Sequence, residues 1–207
     1  GGNIIIAEES PALIFAVAPV ISPERNMEDY QEFAGYIAQE LNQPVRIIQR
    51  KTYHEINELM RIGKVNLAII CTGAYLHAKS SNIPLEIISV PVYKGETYYH
   101  SLIIVRSDSP IKSVMDLRGK SFAFSDPLSL TGYYYPLFLL LQNGFSPENF
   151  FSNTMFTFSH NGSINVVLDK LTDAAAVSNL IYGFEIKHFP ELEKKLQEVQ
   201  QELEQKM

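Results

Sequence analysis

Short apolar runs alternate with helical stripes along almost the whole chain, and this alternation restricts the possible folds more than any other feature. Residues 13–20 (LIFAVAPV) read as a buried strand. Residues 29–41 (DYQEFAGYIAQEL) place Phe33, Ile37 and Leu41 four apart, which predicts one face of a helix. Residues 44–50 (PVRIIQR) read as a strand, and 53–63 (YHEINELMRIG) as a helix stopped by Gly63. Strands follow at 65–70 and 85–92. A βαβαβ order of this kind implies a mostly parallel, doubly wound sheet covered by helices on both faces.

From Tyr98 the pattern restarts. Strands are predicted at 99–105, 121–124, 153–158 and 173–178, with helices at 113–119, 133–143 and 163–171 between them. The economical arrangement is two α/β lobes in series, 13–95 and 96–187, joined by an extended segment near 92–99. Residues 1–12 read as a disordered or tag-derived N-terminus. In 189–207, Leu192, Leu196, Val199 and Leu203 recur at spacings of four, three and four, with Glu, Lys and Gln between them. That spacing predicts a C-terminal amphipathic helix over 188–207, docked on the body or forming a short coiled coil.

The composition narrows the partners. A chain of 207 residues, 46% hydrophobic and 19% charged, can bury a core and is not a disordered segment. Its net charge of −6, without a Lys/Arg cluster, argues against nucleic acid. A single cysteine, Cys71, excludes an intramolecular disulfide, and its apolar surroundings (VNLAIICTGAY) suit a buried thiol better than a nucleophile. No stretch is apolar enough to span a bilayer, so a membrane would be met only through a lipid anchor or a partner. No Walker A loop, GxGxxG, HExxH or GxSxG occurs, and no His/Asp/Glu group has metal-ligand spacing. Neither catalysis nor a cofactor or metal is expected.

The polar residues that remain fall on the predicted strand-to-helix turns. These are residues 19–24, 51–54 (KTYH), 72–74 (TGA), 125–131 (SDPLSLT) and 159–163 (SHNGS). Helix amino ends carry unpaired N–H groups and a positive dipole, so hydroxyls gathered there suit a small oxyanion. The plainer reading is that Ser129, Thr131 and their equivalents cap helices. Both readings hold for 125–136, because a cap can also cradle an anion. His160 is either a helix cap or an anion-contacting imidazole. Asp126, followed by Pro127, reads as a turn former. His54 and Glu55 are neighbours in sequence and point to different sides of a helix, and His77, His100 and His188 are scattered.

Four stretches carry a resemblance: 17–41, 50–75, 98–136 and 150–182, above all the combination DLRGKSFAFSDPLSLTGYYYP with FTFSHNGSI. Over roughly 13–185 the chain resembles the phosphate/phosphite/phosphonate-binding proteins of ABC transporters, the PhnD-like group of periplasmic binding proteins. The resemblance implies a two-lobed, type II binding-protein fold in the periplasm or another extracytoplasmic place, free or held by a lipid anchor. Such a protein captures a small phosphorus oxyanion for an ABC permease. It further implies ligand contacts from Ser129, Leu130 and Thr131, from His160, from Tyr53 and Thr72 of lobe one, and from Tyr99 of the crossover. Leu130 stands where a second hydroxyl donor is common, leaving only its amide. The family's return crossover to lobe one, with an acidic contact, has no counterpart in this sequence. A sensing module with the same cleft, signalling through the terminal helix, is the alternative.

Overall fold

Leu13–Val17 (β1) is the central strand of the first sheet. It runs parallel to Val45–Gln49 (β2) on one side and Leu67–Ile69 (β3) on the other. The computed structural model describes residues 11–21 and 23–200. Helices α1 (Pro23–Leu41), α2 (Tyr53–Arg61) and α3 (Thr72–Ser80) flank this sheet. Side chains alternate along a strand, so β1 feeds two cores. Phe15 and Val17 pack with Ala34 of α1. Ala16 and Ala18 pack on the opposite face with Tyr53, Ile56 and Ala74. The predicted stripe on α1 is rotated from the docked one: Ala34 is buried and Tyr30 packs beside it, whereas Phe33 and Leu41 remain exposed. The short Ala34 side chain lets the helix approach Phe15 closely.

The second sheet has the order β6-β5-β7-β4-β8. Its strands are β4 (Ser101–Arg106), β5 (Ser121–Phe124), β6 (Asn153–Phe156), β7 (Ala174–Ser178) and β8 (Leu196–Glu198). Only the β5 pairings are parallel; β4 runs antiparallel to both β7 and β8. This lobe is therefore mixed rather than mostly parallel, because β4 enters from the crossover and β8 leaves beside it. Connecting helices are α4 (Tyr135–Gln142), α5 (Pro147–Phe150), α6 (His160–Leu168), α7 (Asn179–His188) and α8 (Leu192–Lys195). Phe122 stacks on Phe151 at 4.4 Å between ring centres, in a core with Phe124, Phe150 and Leu117. On the other face Ala123, Ala175 and Val177 meet Ile164, Val167 and Leu196.

Several sequence expectations change. Residues 113–119 make only a 3-10 turn, Val114–Leu117, opened by reciprocal Ser113 and Asp116 bonds. Helix α6 starts at His160, three residues earlier than its apolar run, because Ser159 Oγ accepts from Gly162 N. Residues 85–92 form no strand: Ile87, Ile88, Val90 and Val92 are exposed, and no described strand lies alongside to complete a ladder. Tyr93 and Glu96 then close a tight turn, with Lys94 and Gly95 at φ of 51° and 84°, before the chain enters β4.

The largest correction concerns the C-terminal helix. The Leu192, Leu196, Val199 spacing produces one helical turn and then strand β8, with Val199 N donating to Ile103 O. Leu196 and Val199 are buried on opposite faces of the sheet, a demand that a helix cannot meet. Residues 1–10 and 201–207, where the N-terminal expectation and the end of that helix fall, lie outside the described residues. Because Leu196 is only 4% exposed, Leu196→Ala should cost about 2–5 kcal/mol in chemical denaturation. A loss below about 0.5 kcal/mol would mean that this segment does not pack on the sheet.

Candidate functional site

Parallel strands carry their following helices to one edge of the sheet, and the helix amino ends collect there. Each of these ends satisfies one of its own N–H groups with a cap. Thr52 serves α2, Cys71 α3, Ser129 the turn before α4, Ser159 α6 and Ser178 α7. The capping reading of Ser129 is thus correct as local structure: its Oγ accepts from Gly132 N at 3.0 Å. Leu130–Tyr134 forms a widened, π-helical turn, with Tyr134 N reaching back to Ser129 O at 3.0 Å.

The two lobes meet through the loop 126–130. Leu128 of the second lobe is buried in the first lobe's cluster of Ala16, Ala18, Tyr53, Ile56 and Ala74. Asp126 Oδ2 accepts from Tyr53 N at 3.1 Å, and its Oδ1 accepts from Leu128 N at 2.8 Å. Cys71 Sγ donates to Leu128 O at 3.5 Å, and His160 N donates to Val20 O at 3.0 Å. Gly73 permits the approach. A Cβ there would overlap Leu128 O and lie 2.8 Å from Leu130 N.

Of the seven predicted site residues, Tyr53, Thr72 and Tyr99 lie on the first lobe and the crossover, and Ser129, Leu130, Thr131 and His160 on the second lobe. Tyr99 OH donates to Thr72 Oγ1 at 2.9 Å, linking the crossover to α3. The Tyr53 ring is fully buried and its hydroxyl has no protein partner. Ser129 and Thr131 are 1% and 4% exposed, so neither is a surface cap. The Leu130 amide, the one group left to that residue, faces the Cys71 sulfur along with the amides of Ala74 and Gly73. Burial nonetheless outweighs those amides and pushes the Cys71 thiol up, which keeps it protonated and unreactive. His160 contacts Ser125, whose Oγ lies 2.9 Å from Nδ1 and sits where a side chain on Gly132 would be.

Burial also sets the charge states. Ser178 N, which can only donate, points at His160 Nδ1 at 3.2 Å, so the ring proton sits on Nε2. Desolvation pushes His160 down to about 4, which makes it a neutral donor at physiological pH. Tyr53 is pushed well up by burial and stays a neutral phenol. The seam between the lobes thus holds neutral hydroxyls and a neutral imidazole, with an unpaired phenol buried beside them. By contrast, a shallow groove of about 400 Å³ between α1 and β2 is lined by Met27, Gln31 and Arg46 together with small and aliphatic residues.

Sequence reasoning missed Asp126 and Leu128 as contacts between lobes. The Asp-Pro pair marked the turn, but nothing local shows that its carboxylate reaches a backbone amide 73 positions away.

Comparison with known proteins decides the family. The family described as the phosphonate, periplasmic substrate-binding protein of ABC transporters matches residues 15–201. The chain belongs to that family. A phosphate-import protein, PhnD, of Mycolicibacterium smegmatis is 26% identical over 129 residues, covering 59% of this chain and 40% of the relative. A binding-protein component of an ABC phosphonate transporter from Pseudomonas aeruginosa superposes with a TM-score of 0.86 at 24% identity, over 93% of this chain and 65% of that one. PhnD1 of Prochlorococcus marinus, in complex with methylphosphonate, gives 0.81 at 18%, over 91% and 71%. The fold is that of a two-lobed, type II periplasmic binding protein. The chain spans less than half of the curated relative's length and about two thirds of the Pseudomonas protein's.

Two outcomes follow. Gly73→Ala should hold the lobes apart, raising the radius of gyration in solution scattering while far-UV circular dichroism stays unchanged. An unchanged radius would mean that the loop 126–130 does not seat against α3 in solution. Because the His160 pKa is depressed in the folded state, the unfolded chain binds the extra proton, and stability falls with pH from about 6.5 to 4. The expected loss is about 3 kcal/mol, absent in His160→Asn, as read from denaturation midpoints at pH 7 and pH 4.

Proposed function

We propose that this cleft captures a small phosphorus oxyanion, a phosphonate, phosphite or phosphate, for delivery to an ABC permease outside the cytoplasm. The observation that carries this reading is the unpaired Tyr53 hydroxyl, fully buried at the seam between lobes. A buried donor without a partner costs about 1–3 kcal/mol, and an oxyanion held in the seam offsets that cost. The other groups fit the same ligand: Thr131 and Ser129 at a helix amino end, the Thr72–Tyr99 hydroxyl pair, and His160 as a neutral donor. Binding comes from donors and helix ends rather than from lysine or arginine, which agrees with the acidic net charge. The names of the Mycolicibacterium, Pseudomonas and Prochlorococcus relatives point to the same class of ligand.

Calorimetric titration with phosphate, phosphite, methylphosphonate and 2-aminoethylphosphonate tests the reading, the expected result being saturable binding of at least one of them. Tyr53→Phe and Thr131→Ala, each removing a hydroxyl that meets a charged ligand, should weaken that binding about tenfold or more, equivalent to about 1.5–3 kcal/mol. Titration curves that superimpose on the wild type for both variants would remove these residues from the site.

A further inference from the structure

Among the described residues Asp126 is the carboxylate buried in the seam, and it binds both lobes. It is 1% exposed, with Oδ1 on the Leu128 amide of its own turn and Oδ2 on the Tyr53 amide that opens α2. It has no salt-bridge partner among the described residues. Separating the lobes removes the Tyr53 bond and returns the carboxylate to water. Closing them dehydrates a negative charge beside the place where an anion is to be held. This inference rests on the oxyanion reading above. We propose that Asp126 is a specificity residue of the cleft, whose carboxylate makes oxyanion capture proton-linked, so that affinity rises as the medium becomes more acidic.

The direction follows from two opposing effects. The amides of Tyr53 and Leu128 favour the ionised carboxylate, and His54 adds a little in the same sense. Dehydration between the lobes opposes them and prevails, so the closed seam holds the Asp126 proton more tightly than ordinary carboxylates do. The other titratable groups facing it are Tyr53, Cys71 and Tyr134, whose own protons are held more firmly in turn. They are neutral throughout the acid range. With the closed-state value raised above the open-state one, closure takes up a proton. Affinity then gains at most tenfold per pH unit below the raised value and levels off below about pH 4, where the open form is protonated too.

The same charge bears on which anions are accepted. An added negative charge in the seam is repelled by an ionised Asp126 and tolerated by a protonated one. A monoanion therefore suffers less from this residue than a dianion does. Substituting Asp126→Asn keeps a carbonyl acceptor for one amide while deleting the charge.

The test is calorimetry of wild type and Asp126→Asn with methylphosphonate and with inorganic phosphate. It is run from pH 5 to 7.5 in pairs of buffers that differ in ionisation enthalpy, which counts the protons taken up. Subtracting one chain from the other cancels the ligand's own ionisation and that of His160. Wild type is expected to take up more protons than the variant as pH falls toward 5, and the variant to bind several-fold tighter at pH 7.5. Equal proton uptake in the two chains, with the variant binding the same or more weakly, overturns the inference and reduces Asp126 to a structural cap. Should Asp126→Asn not fold, Asp126→Ser carries the same comparison. If wild type binds none of the four phosphorus oxyanions, the oxyanion reading itself fails and this inference falls with it. Binding without a difference in proton uptake refutes this inference alone.

Discussion

The seating of the loop 126–130 against the first lobe is the contact on which the rest of the arrangement depends. One apolar side chain, Leu128, enters a cluster that otherwise belongs to the first sheet. One carboxylate, Asp126, ties that loop to the start of α2, and one sulfur, Cys71, ties it to the start of α3. The contacts need close backbone approach, which Gly73 provides. They bring the turn before α4 against the amino ends of α2 and α3. Without that meeting, the residues on each lobe would be ordinary caps on separate α/β units.

The electrostatics have a consistent logic. Arginine or lysine would bind an oxyanion strongly, but a buried cation carries a desolvation cost of its own when the cleft is empty. Neutral donors avoid that cost, and burial enforces neutrality on His160 and Tyr53 alike. The second lobe spends much of its polar inventory on holding these donors in place. Ser125, Ser163 and Thr157 share one buried network, and Ser178 fixes the imidazole tautomer. Preorganisation of this kind limits the entropy lost when a ligand arrives. Asp126 is the exception, a buried carboxylate with no salt-bridge partner among the described residues.

The limits of the sequence show at particular residues. The SDPLSLTG turn was legible as a helix entry because a polar, Gly-containing dozen sits between two apolar runs, and Ser129 does cap that entry. The partner of Asp126 was not legible, because an Asx turn and a bond between lobes use the same carboxylate and look identical in one dimension. The segment LEIISVPV has the composition of a strand, yet it stays unpaired, since a strand is defined by a neighbour as much as by itself. Leu192, Leu196 and Val199 satisfy a helical spacing by coincidence. The short piece reverses into β8 because the free edge of β4 offers hydrogen bonds that an exposed helix does not.

By itself, the sequence determined the alternation of elements, and with it the parallel crossovers and the turns where polar residues gather. Those features follow from local periodicity and from residues such as Gly63 and Ser159 that act on their own backbone. Only the tertiary structure decided which turns face one another. It also decided that His160 is neutral with its proton on Nε2, that Tyr53 keeps an unpaired hydroxyl, and that Asp126 lies sealed between the lobes. The reason is that desolvation and contact between distant segments depend on what surrounds a group, and a sequence orders its residues without stating their surroundings.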